Sequence, residues 1–118
     1  MSINNTVIYT ATPGVAGVYL VNYTLRFQGA SNGSTVINTI ETWITTSPQV
    51  GSIQYGNFSA YYSPSVAFGT TKIICTTGTA IFTFTNTSTF SINLFLDSTG
   101  TPPYLVESNS GYSYMRIA

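Results

Sequence analysis

The stretch Val18-Tyr-Leu-Val-Asn-Tyr-Thr-Leu-Arg-Phe27 decides the fold. Tyr19, Val21, Tyr23, Leu25 and Phe27 take every second position, while Asn22, Thr24 and Arg26 take the places between them, joined by Val18 and Leu20. Successive side chains of an extended chain point to opposite faces, so this is a half-buried strand. One face is wholly apolar and belongs in a core. The other is polar, with an apolar patch at its start.

Period-two patterning continues outward from that strand. Gly14 and Gly17 punctuate its beginning, and Gln28-Gly-Ala-Ser-Asn-Gly-Ser34 is the loop that ends it. Thr35 to Thr45 is the next strand, rich in β-branched residues, but its apolar residues Val36, Ile37, Ile40, Trp43 and Ile44 do not alternate, which fits either a bulge or burial on both faces. Ser47-Pro48 stops it. Ile53 to Tyr62 is aromatic and irregular, a short strand plus loop closed by Pro64. Thr70–Thr76 and Thr79–Asn86 are predicted to form a hairpin across Thr77-Gly78, with Ala80, Phe82 and Phe84 on one face. Asn86-Thr-Ser-Thr is a turn. In the next strand Phe90, Ile92, Leu94 and Leu96 share a face. A short strand from Tyr104 to Glu107 follows Pro102-Pro103, and the last, Tyr112 to Ala118, puts Met115 and Ile117 opposite Tyr112, Tyr114 and Arg116. Residues 1–12 supply an N-terminal strand or arm. Eight or nine short strands at spacings of roughly 8 to 15 residues predict an all-β, antiparallel two-sheet β-sandwich of jelly-roll type, with residues 1–118 as one domain.

Charge is the abnormal feature. Arg26, Lys72, Arg116, Glu41, Asp97 and Glu107 are all the charged side chains, 5% of the chain against about 25% in ordinary domains. Ser, Thr, Asn, Gly and Tyr must hydrate the surface instead. Such a surface carries no basic stripe for nucleic acid and no polybasic membrane patch, and no apolar stretch approaches the ~20 residues of a membrane helix, so neither partner is expected. Met1-Ser-Ile-Asn-Asn-Thr lacks the basic and apolar regions of a secretory signal. A net charge of zero does little to keep free subunits apart, which suits a subunit built into an assembly. Cys75 is the only cysteine, so no internal disulfide is expected, and its strand setting predicts a buried, inert thiol.

Three segments resemble the C1q and tumour necrosis factor superfamily. Pro13-Gly-Val-Ala-Gly-Val-Tyr is similar to its Gly-x-Tyr entry into an alternating strand that ends in an aromatic, matched by Gly17, Tyr19 and Phe27. Thr77-Gly-Thr-Ala-Ile-Phe resembles its Gly-Asp-x-Ile strand, with Thr79 where the acidic residue usually stands. Tyr112-Ser-Tyr-Met-Arg-Ile-Ala is similar to the closing strand of C1q-like heads in bacterial and viral proteins. The resemblance implies a jelly roll of about ten strands in two sheets, assembled as a three-fold trimer. The face opposite the Gly-x-Tyr aromatic would pack on the axis, which points to Leu20 and Asn22, together with Tyr112 or Tyr114. An exposed Leu20 beside Val18 is in any case an apolar patch seeking cover.

The residue inventory argues against an enzyme. With no histidine and a single cysteine, catalytic triads and most zinc sites have no members. Asp97, Glu41 and Glu107 stand on different elements and form no carboxylate pair, and no glycine-rich phosphate loop is present. Some C1q-like heads bind calcium through acidic side chains, for which Asp97 alone offers comparable chemistry here. No cofactor and no metal are therefore expected. Tyr55, Phe58, Tyr61 and Tyr62, with Gln54 and Asn57 among them, could stack on a glycan or grip a host receptor; packing of the sandwich edge is the plainer reading. The expectation is a non-enzymatic structural protein of a virus or phage particle, a homotrimeric capsid, spike or fibre-head component in contact with other capsid or spike proteins. The alternative is a carbohydrate- or receptor-binding module of a secreted or cell-surface protein.

Overall fold

In the computed structural model, which describes residues 2–29, 36–49, 54–55, 73–101 and 103–118, the diagnostic stretch lies inside β2 (Gly17–Gln28). β2 is the hub of one sheet. Along its whole length it pairs antiparallel with β5 (Ile73–Phe84). On its other side it pairs with β7 (Tyr104–Leu105) at Phe27–Gln28 and with β8 (Gly111–Arg116) at Tyr19–Thr24. A 3-10 turn at Glu107–Asn109 separates these two short strands. The facing sheet contains β1 (Ser2–Ala11), β3 (Val36–Ser47), β4 (Gln54–Tyr55) and β6 (Thr89–Thr99) in the order β1-β6-β3-β4. The protein is an all-β sandwich of two antiparallel sheets.

The alternation in β2 is realised as burial. Tyr19, Val21, Tyr23, Leu25 and Phe27 are each at most 4% exposed and join one core with Ile37, Ile40 and Ile44 of β3, Phe82 and Phe84 of β5, and Phe90, Ile92, Leu94 and Leu96 of β6. Each large apolar side chain so buried contributes about 1.5–3 kcal/mol relative to exposure. Aromatic rings form the densest part: Phe82, Phe84 and Phe90 stack in sequence at centroid separations of 5.5 and 6.0 Å. Their offset contacts add to the area term.

The irregular pattern of β3 comes from a bulge. Its register against β6 shifts between Ile37 and Thr39, so Ile37 and Ile40 both reach the core although three positions apart. After the bulge Ile40, Thr42 and Ile44 point inward and Trp43 outward. Thr42 is wholly buried, and its hydroxyl shares a 2.7 Å hydrogen bond with the Tyr23 phenol across the two sheets.

The hairpin expected at Thr77-Gly78 does not exist. Residues 73–84 form one strand, and Gly78 sits opposite Tyr23 in mid-ladder. Inward alternation runs unbroken through Thr76, Gly78, Ala80, Phe82 and Phe84, and the aromatic Tyr23 is the cross-strand partner of the bare glycine. The real turn follows Phe84: the Thr85 amide donates to Ser88 Oγ at 2.9 Å, and Ser88 is buried. It carries the chain from β5 to β6 in the other sheet.

Leu25 is wholly buried and its neighbour Thr24 exposed. Leu25→Ala is expected to cost about 2–5 kcal/mol in urea denaturation, and Thr24→Ala no more than about 0.5 kcal/mol. Similar losses at both sites would contradict the assignment of faces.

The Tyr23–Thr42 clamp gives two further expectations. Tyr23→Phe strands a buried hydroxyl and is expected to cost about 1–3 kcal/mol, much of it recovered when Thr42→Val is added. Burial raises the Tyr23 phenol pKa above its ordinary value, only partly offset by the Thr42 hydrogen bond. The folded state thus holds this proton more tightly than the unfolded chain. The associated stability is complete below about pH 10 and declines as pH rises beyond it. Melting temperature against pH should show that alkaline fall, and Tyr23→Phe should make it shallower.

Candidate functional site

The outward face of the β5-β2-β8 sheet has a chemical order set by register. Leu20 lies between Ile81 of β5 and Met115 of β8, so three apolar side chains form a row across the strands. Ile81 is 62% exposed and Met115 58%, with Leu20 half-buried between them. One pleat further, Val18 lies beside Thr83, and its backbone exchanges hydrogen bonds with Ile117 and Ala118. Ile117 is 47% exposed. The end of the sheet where β2 begins therefore presents Val18, Leu20, Ile81, Met115 and Ile117 outward.

The next rows are polar and uncharged. Asn22 is flanked by Thr79 and Ser113, and the Ser113 hydroxyl donates to its side-chain oxygen. Thr24 lies between Thr77 and Gly111. Arg26 brings the first charge, beside Cys75. The thiol is exposed, against the expectation of a buried one. The reason is parity: Thr76 is buried, so its neighbour must face outward.

Gly17 has a structural reason for its place. A Cβ there would meet the Arg116 side chain and lie 2.9 Å from the Ala118 carbonyl oxygen, so a side chain would push the C-terminal strand away from β2. Two positions on, the Tyr19 hydroxyl donates to the Val15 carbonyl at 2.7 Å and ties down the loop before the strand.

Of the residues expected on this face, Leu20 and Asn22 are on it. Tyr112 and Tyr114 are not. They pair with Tyr23 and Val21, whose side chains point into the core, and therefore share the inner side of the sheet. Both rings pack edge-on against Phe90, and Tyr112 also meets Tyr9 of β1. They are nonetheless 37% and 40% exposed, because β8 is the margin of its sheet and the sandwich opens there. Met115 and Ser113 take the outward places. Ile81, Met115 and Ile117 could have been found from the alternation of their own strands; bringing them beside Leu20 needed the pairing register. Tyr55 lies on β4 opposite Trp43. Phe58, Tyr61 and Tyr62 lie outside the described residues.

No family model matches the chain, and neither a curated protein nor a solved structure shows significant similarity to it.

Proposed function

We propose that this chain is a non-enzymatic structural subunit of a virus or phage particle, a C1q/tumour necrosis factor-like jelly roll that trimerises through the outward face of the β5-β2-β8 sheet. The apolar row Ile81–Leu20–Met115, bordered by Val18 and Ile117, carries the reading. Contiguous exposed apolar surface rimmed by uncharged polar groups is suited to being covered by protein. The covering partner is best supplied by further copies of the same face, because the surface offers no field of opposite charges to select a different protein.

The winding supports the jelly roll. Among the described elements, β3 to β4 and β7 to β8 stay within one sheet, and every other sequential connection crosses between sheets. Repeated crossing of this kind typifies Greek-key and jelly-roll sandwiches. The virion role draws on a surface of Ser, Thr and Asn with only six charged side chains, three of each sign, and on a residue inventory without histidine. Such a surface responds weakly to the pH and salt changes a particle meets outside a cell.

Light scattering during size-exclusion chromatography should give a particle three times the 12.7 kDa chain mass at micromolar concentration. Ile81→Asp and Met115→Asp should shift it to a monomer that keeps the β-sheet circular dichroism of the wild type, since both side chains are exposed in the single chain. A wild-type monomer at 12.7 kDa would overturn the assembly. Glycan-array binding by the free chain, with no trace of it in purified particles, would favour the binding-module role instead.

A further inference from the structure

A separate feature lies where the sandwich opens, between β1 at the margin of one sheet and β7–β8 at the margin of the other. A cleft of about 500 Å³ is lined there by Ile8 and Tyr9 from β1, Leu105 from β7, Glu107 and Ser110 from the connection, and Tyr112 from β8. That volume lies within the usual range for small-molecule sites, roughly 300–1,000 Å³.

We propose that this cleft binds a primary ammonium group carried on an aliphatic chain, with the Glu107 carboxylate as counter-ion, the rings of Tyr9 and Tyr112 as the aromatic wall, and Ile8 and Leu105 against the methylenes.

The aromatic wall is built in advance. The Tyr9 and Tyr112 rings lie 5.1 Å apart at 48°, and Tyr112 is braced edge-on by the wholly buried Phe90 at 5.8 Å. Rings held in this way need little further ordering when a ligand binds. Glu107 is the sole charged residue of the lining, and its carboxylate has no hydrogen bond or ion pair among the described residues. Its field reaches across the cleft. The Tyr9 phenol has a raised pKa, first from burial, then from Glu107 and then from Tyr112.

Uncompensated charge selects the ligand class. An anion would face Glu107 with no cation among the described lining residues to offset it. A neutral sugar could bond to the carboxylate and the hydroxyls of the lining but would leave the charge of Glu107 without a counter-ion. An ammonium gains a charge-assisted bond to the carboxylate and a cation–π contact together. A lysine side chain and a free diamine share this chemistry. The cleft lies on the inner side of the sheet, so the inference is independent of the trimer proposed above.

Amide-resolved NMR titration of the full chain at low salt, with Nα-acetyl-lysine methylamide and with cadaverine, separates these sources. Saturable shifts at Ile8, Tyr9, Gly111 and Tyr112 are expected for at least one probe, at millimolar concentration. The tighter of the two identifies the source as a peptide lysine or a polyamine. Glu107→Gln is expected to weaken binding about tenfold, the equivalent of about 1.4 kcal/mol, and Tyr112→Leu to weaken it similarly. Glu107 is exposed and outside the core, so the first variant leaves the fold intact. Glucose or acetate binding at these residues as tightly as the amines, unchanged affinity in Glu107→Gln, or no saturable shift with either amine would each overturn the proposal.

Discussion

Everything else in this protein depends on burial of the inner face of β2 beneath the opposite sheet. That one strand contributes Tyr19, Val21, Tyr23, Leu25 and Phe27 to the core, and it is flanked on both sides by hydrogen-bonded neighbours. Because side chains alternate strictly, filling the core with the odd-numbered residues forces the even-numbered ones outward. The outward row through Leu20 is thus the geometric consequence of a well-made interior. The Tyr23–Thr42 bond adds specificity, since a buried hydroxyl pair is satisfied only when the two sheets face each other in one alignment.

The near absence of charge is matched by hydroxyl and amide pairs between strands. Ser113 donates to Asn22, Thr10 shares a hydrogen bond with Ser91, and Asn38 donates to Thr99. Asn93 is the most developed case. On the outward side of its sheet it is only 6% exposed, and its amide nitrogen lies within hydrogen-bond distance of Thr45 Oγ1 and the carbonyls of Trp43 and Ser91. Such contacts fix side chains without the salt sensitivity of ion pairs. A particle subunit and a free-standing binding module would both gain from this.

How much was legible in the sequence varied with the range of the interaction. Strands with clean alternation, such as Phe90–Leu96 and Val18–Phe27, disclosed their buried faces because that signal is local. At Thr77-Gly78 a real local signal for a hairpin is overridden by the sheet. Glycine favours turns, yet here it continues a strand whose alternation holds on both sides of it and whose partner at that point is Tyr23. Cys75 is exposed where its neighbours suggest burial for a related reason, because apolar neighbours do not reveal which parity faces inward. Alternation separates Tyr112 and Tyr114 from Met115 and Ile117 but does not say which face of β2 each pair shares. Only the register of β8 against β2 decides that question.

By itself, then, the chain determined its all-β class, its antiparallel two-sheet form and the inner faces of its best-patterned strands. These follow from period-two burial and from turn residues, both readable over a few positions. The tertiary structure alone decided the continuity of β5, the row joining Ile81, Leu20 and Met115, and the cleft that brings Tyr9 to Tyr112 and Glu107. These depend on pairing between residues about 60 to 100 positions apart in the sequence. No local pattern encodes such offsets; they are set by which arrangement of strands closes the whole core at once.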